Sequence, residues 1–141
     1  MNGYRSGLEE KVSAQLQTAS ALYEYEPKEG KIAYTKPLSL HKYTPDFTFP
    51  DCHIIIETKG RFLLQDRSKH LLIKEQHPEY DIRFVFSNSK SKLGKGSKST
   101  CGSWCDKHGF QYADKLIPDE WLIEVLQIQQ EILERKYCGA N

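Results

Sequence analysis

Two acidic residues and a lysine stand close enough along the chain to share one reaction centre. They are Asp46 in Thr44-Pro45-Asp46, and Glu57 with Lys59 in Glu57-Thr58-Lys59-Gly60. Hard carboxylate oxygens suit a divalent cation that keeps several waters, such as Mg2+ or Mn2+. Such an ion polarises a phosphoryl oxygen and lowers the pKa of a bound water. A neighbouring ammonium can orient that water and stabilise charge building on the phosphorane. The chemistry open to this set is phosphodiester hydrolysis. The competing interpretation is an ordinary surface ion pair, which is common and contributes little. Position argues for the centre: Glu57 and Lys59 follow Ile54-Ile55-Ile56, so they stand at the rim of a buried strand. Pro45 also restricts the backbone and holds residue 44 extended.

A hairpin would bring the three together. Residues 46–49 and 52–58 read as strands, with Pro50-Asp51 as the turn between them. In a two-residue turn Phe49 opposes Cys52, and counting outward sets Asp46 opposite Ile55. Side chains alternate faces along a strand, so residues 55, 57 and 59 share one face, and the residue opposed to them shares it too. Asp46, Glu57 and Lys59 are therefore expected on one face at one end of the hairpin.

The remaining pattern supplies the supports. Leu8, Val12, Leu16 and Ala19 form an apolar stripe that predicts a helix over residues 7–19, with Ser6 as N-cap and Glu9 three residues later. Glu9 thus has a capping role available to it. Residues 23–43 read as extended but are interrupted by Pro27, Gly30 and Pro37, which suits a bent or edge strand. Asp66 is expected to cap a helix that carries Leu71, Leu72 and Ile73 and ends at His77-Pro78. A strand is predicted over residues 82–86, and a short helix over 103–108 stopping at Gly109. A last helix is predicted over 119–136, with the stripe Leu122, Val125, Leu126, Gln129, Ile132 and Leu133. Such alternation predicts a single α/β domain over residues 1–141, a central mixed sheet flanked by helices. Its parts are an N-terminal helix within 1–22, an extended segment at 23–43, a catalytic core at 44–118 and a C-terminal helix within 119–141.

Bulk properties fit a soluble domain: 38% hydrophobic, 28% charged, mean hydropathy −0.64. No run approaches the roughly 18 apolar residues of a membrane span. The start is polar and carries Glu9 and Glu10, unlike a signal peptide. The expectation is a cytoplasmic protein without a membrane partner, in which Cys52, Cys101, Cys105 and Cys138 are free thiols. Cys101, Cys105 and His108 are metal-ligand types at helical spacing. Zinc usually takes four ligands and no second pair exists, so a small helix burying a thiol or two is favoured. The net charge of +1 is uninformative, but residues 87–100 hold Lys90, Lys92, Lys95 and Lys98 without an acid, among glycines and serines. A basic, flexible loop suits a phosphate backbone, because ammonium groups displace condensed counterions. A plain solvated loop is the alternative.

Pro45-Asp46 with Glu57-Thr58-Lys59 matches the signature of the PD-(D/E)xK nucleases. Further phrases narrow the resemblance: Arg5-Ser6-Gly7-Leu8-Glu9, Tyr43-Thr44-Pro45-Asp46-Phe47, Lys69-His70-Leu71-Leu72-Ile73, Glu75-Gln76-His77-Pro78-Glu79 and Ala113-Asp114-Lys115-Leu116-Ile117-Pro118. Over residues 4–121 the chain resembles the endonuclease I family of the T-odd coliphages, which are Holliday-junction resolvases. The resemblance implies a restriction-endonuclease-like fold, a domain-swapped homodimer bridged by residues 23–43, and branched double-stranded DNA as substrate. It implies catalysis by Glu9, Asp46, Glu57 and Lys59 with two Mg2+ or Mn2+ ions per site. Asp46 would bridge the ions, Glu57 and the Thr58 carbonyl would complete one site, Glu9 would complete the other, and Lys59 would act at the nucleophile. Arg5, Arg67 and Lys69 join the four loop lysines as expected DNA contacts. The cytoplasm would be that of the host cell. One departure stands out: the family's tail is strongly basic, whereas here the residues after Trp121 form an amphipathic helix with Glu124, Glu131 and Glu134. That helix is expected on the body or on a partner instead of on DNA. The expected activity is paired nicking of four-way junctions. The alternatives are a mismatch or sequence-specific nuclease, or a non-catalytic DNA-binding module on a decayed nuclease fold. The intact set of four argues against decay.

Overall fold

The β-branched run Ile54-Ile55-Ile56 is apolar toward both sides, and the chain builds a layer on each side of it. A computed structural model describes residues 4–36 and 39–138, the last by its backbone alone. Its elements are α1 (Gly7–Thr18), β1 (Glu24–Tyr25), β2 (Ile32–Lys36), β3 (Ser39–Tyr43), β4 (Phe47–Thr48), β5 (Ile54–Lys59), α2 (Leu64–Gln76), β6 (Asp81–Phe86), α3 (Cys101–His108), β7 (Gln111–Asp114) and α4 (Asp119–Cys138). Five strands make one sheet in the order β1-β4-β5-β6-β7, while β2 and β3 pair separately. The β1–β4 and β4–β5 pairs are antiparallel, and the β5–β6 and β6–β7 pairs are parallel. The parallel steps require crossovers, and α2 and α3 provide them. This is the mixed sheet flanked by helices that the pattern predicts.

Alternation along β5 divides the core in two. Ile55 faces Phe62, Phe84, Phe86 and Trp104 on the α2–α3 side. Ile54 and Ile56 face Val12 and Leu16 of α1 and Trp121 and Val125 of α4 on the other. The C-terminal helix therefore packs on the body. Arg83 on β6 fastens it there, with ion pairs to Asp81 at 2.7 Å and to Glu124 at 2.8 Å, beneath the face of Trp121.

Several details differ from expectation. Thr48 pairs with Ile55 and Phe47 with Ile56, so the register is two residues from the predicted one, and its continuation sets Asp46 opposite Glu57. Pro50-Asp51 do form the turn, closed by the Cys52 N–H donating to the Phe49 carbonyl at 3.0 Å, with Asp51 left-handed at φ 58°. Cys52 and His53 then stay outside the ladder and lengthen the loop. A shift of two keeps every side chain on its face, whereas a shift of one would have reversed them all. Residues 23–43 are not one strand: β1 joins the main sheet, and β2 and β3 form an antiparallel hairpin packed on α2. Within the single chain this segment folds back. Pro37, expected to interrupt it, lies outside the described residues, as does the Cys138 side chain. Asp66 is three residues into its helix instead of capping it, and accepts the Leu63 N–H at 3.2 Å. β7 has no counterpart among the predicted strands. Among the described residues no helix is long and apolar enough to cross a membrane.

Candidate active site

β5 carries Glu57, Thr58 and Lys59 to the edge of the buried sheet, and the chain entering β4 sets Asp46 beside them. Glu57 is 2% exposed. Its Oε1 accepts the Asp46 backbone N–H at 3.1 Å and the Tyr43 hydroxyl. Its Oε2 lies 3.8 Å from Lys59 Nζ, which is also 3.6 Å from Asp66 Oδ1. Asp46 Oδ2 accepts the Thr58 N–H at 3.0 Å and the Thr58 hydroxyl at 3.1 Å. Asp46, Glu57, Thr58 and Lys59 thus form one bonded group. The face argument gathers Asp46, Glu57 and Lys59, whereas Thr58, whose side chain alternates to the other face, joins through its own bonds to the Asp46 carboxylate.

Electrostatics shows what this group needs. Burial pushes the Glu57 carboxyl up to about 8, and the charge of Asp46 adds to the effect while Lys59 opposes it. Burial likewise raises Asp46; the Thr58 N–H pulls against this, and the charge of Glu9 pushes it further up. Two crowded, poorly hydrated carboxylates favour a proton or a cation between them. The donor set, all hard oxygen, fits a divalent ion such as Mg2+ or Mn2+.

Glu9 is close by but differently engaged. It is 7% exposed on α1, whose N-cap Ser6 accepts the Glu9 N–H. Its carboxylate reaches back one residue beyond the cap, to the Arg5 N–H at 3.1 Å, and also takes the Tyr25 hydroxyl. Among the described residues no three Asp, Glu, His or Cys side chains are gathered closely enough to hold one ion. Glu9 is therefore a charged neighbour of Asp46 in this arrangement, its carboxylate engaged by Arg5 and Tyr25.

The other sequence-derived candidates are scattered. Lys90, Lys92, Lys95 and Lys98 are all exposed on the loop between β6 and α3. Gly60, Arg61, Lys92 and Lys95 line a cleft of about 490 Å³ that begins one residue past Lys59. Arg61 gives no signal in the sequence, because it stands outside any basic run. Arg5 is paired with Glu26 at 3.0 Å, and Arg67 donates to the Phe62 carbonyl at 3.3 Å. Lys69 sits with its Nζ 5.4 Å above the Tyr43 ring, at the centre's flank. Cys101 and Cys105 are buried in α3, and burial pushes both thiols up, Cys105 to about 12. His108 packs instead against Trp104, ring centroids 4.7 Å apart.

Tyr43 and His70 are likewise silent in the sequence. Tyr43 stands beside the Asp46 motif, but nothing in its spacing shows that its hydroxyl reaches Glu57. His70 is fully buried and edge-on to Tyr43 at 5.2 Å.

Comparison with known proteins gives a consistent result. The Phage endonuclease I family model matches residues 1–138. The chain is 55% identical over 124 residues to Endonuclease I of Escherichia phage T7, a match covering 88% of this chain and 81% of that protein. It is 57% identical over 115 residues to Endodeoxyribonuclease 1 of Enterobacteria phage T3, covering 82% of this chain and 74% of that one. A match that runs nearly end to end, around an oxygen-rich centre suited to phosphodiester hydrolysis, places the chain in the phage endonuclease I family of endodeoxyribonucleases.

Proposed function

We propose that this endonuclease resolves four-way DNA junctions by paired nicks, as a homodimer, using Mg2+ or Mn2+, in the cytoplasm of the host cell. The observation that carries the reading is buried Glu57 bonded to half-buried Asp46, with Lys59 Nζ 3.8 Å from Glu57 Oε2. Asp46 and Glu57 would hold a first ion together with the Thr58 backbone carbonyl. Asp46 would also face a second ion held by Glu9, once Glu9 exchanges its bonds to Arg5 and Tyr25 for that ion. A divalent ion bound there supplies a polarised phosphoryl oxygen and a water of lowered pKa. Lys59, held between Glu57 and Asp66, would orient the attacking water and stabilise charge developing on the phosphorus. The exposed lysines on the loop, with Arg61 and Lys69, present cations to the phosphates on either side.

The junction reading is supported by the family assignment and by symmetry. Two cuts related by a two-fold axis are what a C2 dimer supplies. The test is cleavage of a labelled four-way junction against linear duplexes of the same sequences, in Mg2+ and in EDTA. Two symmetric nicks in the junction, spared linear duplex and no cutting in EDTA are expected. Equal cutting of linear duplex overturns the junction preference, and cutting in EDTA overturns the metal requirement.

A further inference from the structure

Glu57 Oε1 takes two donors, of which one is a side chain. The backbone N–H of Asp46 is fixed by the chain, and the Tyr43 hydroxyl is the other. Tyr43 ends β3, is 2% exposed, and its backbone is paired with Ile32 of β2. Its ring is walled in: His70 stands edge-on at 5.2 Å, and Lys69 Nζ lies 5.4 Å over the face. His70 is in turn edge-on to Phe84 at 4.9 Å, and among the described residues neither of its ring nitrogens has a hydrogen-bond partner. With neither nitrogen bonded, His70 acts on Tyr43 by packing, its ring set at 83° to the tyrosine ring. Burial, with Lys59 and Lys69 nearby, keeps it neutral.

This support matters because the last torsion of a glutamate is soft. The carboxylate plane turns through a broad well unless hydrogen bonds fix it. We infer that Tyr43, braced by His70, is a positioning residue for the nuclease reaction: its hydroxyl fixes the Glu57 carboxylate so that Oε1 faces protein donors and Oε2 faces Lys59 and the cation. The inference rests on the metal-dependent reading above. Partners that orient a metal-binding carboxylate change affinity or activity by roughly 10- to 100-fold when removed.

Tyr43→Phe deletes one oxygen and leaves the ring in its box. Tyr34→Phe makes the same change on the same hairpin, at a residue with no bond to Glu57, and serves as the control. The full-length proteins are titrated with Mn2+ alone by calorimetry, without DNA, and junction binding is measured separately in EDTA. Tyr43→Phe is expected to bind Mn2+ roughly 10- to 100-fold more weakly than wild type. Its junction affinity should stay within about twofold, and its cleavage should recover as Mn2+ is raised. Tyr34→Phe should match wild type throughout. Equal Mn2+ affinity for Tyr43→Phe and wild type overturns the positioning role and leaves the metal reading standing. Equal weakening in both variants overturns it as well, because general loosening of the hairpin then accounts for the loss. Failure of the wild type itself to bind Mn2+ removes the metal reading and the positioning role together.

Discussion

Asp46 and Thr58 are joined twice, through the Thr58 N–H and the Thr58 hydroxyl, both donating to Asp46 Oδ2. Thr58 is flanked by Glu57 and Lys59, whose side chains alternate to the opposite face of β5. Asp46 therefore straddles the strand end: its N–H bonds Glu57 on one side, and its carboxylate bonds Thr58 on the other. That position lets one carboxylate be felt from both layers, by Lys59 on the α2 side and by Glu9 on α1. Thr58→Val keeps the β-branched shape and the backbone donor and removes only the hydroxyl. One hydrogen bond of about 1 kcal/mol corresponds to a loss of several-fold in single-turnover cleavage. Asp46→Asn removes the charge and should abolish cleavage. A Thr58→Val enzyme as inactive as Asp46→Asn would show the hydroxyl to be essential and this ranking wrong.

Lys59 is held by two acids, Glu57 and Asp66, and is the cation closest to the carboxylate pair. Lys59→Ala should bind junction DNA almost as wild type does, since one phosphate-facing charge among many is removed. Its cleavage should fall by about two to four orders of magnitude, the usual weight of a positioned proton-transfer or charge-stabilising group. Gel-shift in EDTA and cleavage in Mg2+ separate the two effects. Cleavage near the wild-type rate would remove Lys59 from the reaction.

The raised Glu57 carboxyl makes the metal-free protein sensitive to pH. An unfolded chain releases this proton near pH 4.5, whereas the folded chain keeps it up to about 8. Between those values the folded state binds more protons, so stability falls as pH rises through the window. The loss is at most about 1.4 kcal/mol per pH unit. Asp46, also raised, acts in the same direction. Two groups act oppositely. Glu124, lowered by Arg83, loses its contribution only as pH falls below the ordinary carboxylate range, and His70, held neutral by burial, lowers stability as pH falls below its ordinary value of 6.5. Above that value the carboxyl effect stands alone, so urea unfolding in EDTA should give lower stability at pH 8 than at pH 6.5. Glu57→Gln should flatten the trend, and Mg2+ should offset it in the wild type. An equally steep decline in Glu57→Gln would assign the effect elsewhere.

The legible parts of this molecule are those that depend on parity and period. The convergence of Asp46 with Glu57 and Lys59 follows from alternation and survives the two-residue register error because parity is unchanged, although the Asp46 carboxylate turns across the strand end to Thr58. The register itself is not legible, because nothing in Cys52-His53 shows that they leave the ladder. Glu9 is visible as a cap and, through resemblance, as a ligand. Its actual partner Tyr25 comes from a strand 16 residues on, and only tertiary folding brings it there. β7 is four half-polar residues that become a strand only because β6 offers an edge, a context effect beyond propensity. His70 lies next to Leu71 and Leu72, yet it is His70 that is fully buried, while those leucines only flank the core.

Lys90, Lys92, Lys95 and Lys98 are exposed, and the loop that carries them opens beside the Arg61 cleft. Replacing all four with Ser should weaken junction binding and flatten its salt dependence, by about 0.9 in log–log slope for each duplex phosphate left unneutralised. Adding Arg61→Ser should flatten it further. Binding isotherms across a salt series measure the slope. An unchanged slope would make the loop ordinary solvated surface.

The order of elements along the chain also allows two copies to share a site. α1 and β1 both precede the β2–β3 hairpin, and both pack on the strands that follow it: β1 pairs with β4, and α1 lies on β5. If the hairpin opened, α1 and β1 could pack in the same way on a second copy, which is the low-cost route to a swapped dimer. Glu9 would then serve the Asp46 of its partner. Two inactive variants distinguish the arrangements. In a purified heterodimer of Glu9→Ala with Lys59→Ala, composite sites place both defects in one centre and leave the other intact. That dimer should nick one strand of a junction and rarely complete the second cut. If each centre is built within one chain, both carry a defect and nicking should not return. Differently tagged subunits, co-expressed and purified over both tags, give the heterodimer needed, and light scattering at micromolar concentration reports its mass. A doubly purified heterodimer without nicking activity would refute the exchange, and a monomer by scattering would refute the dimer itself.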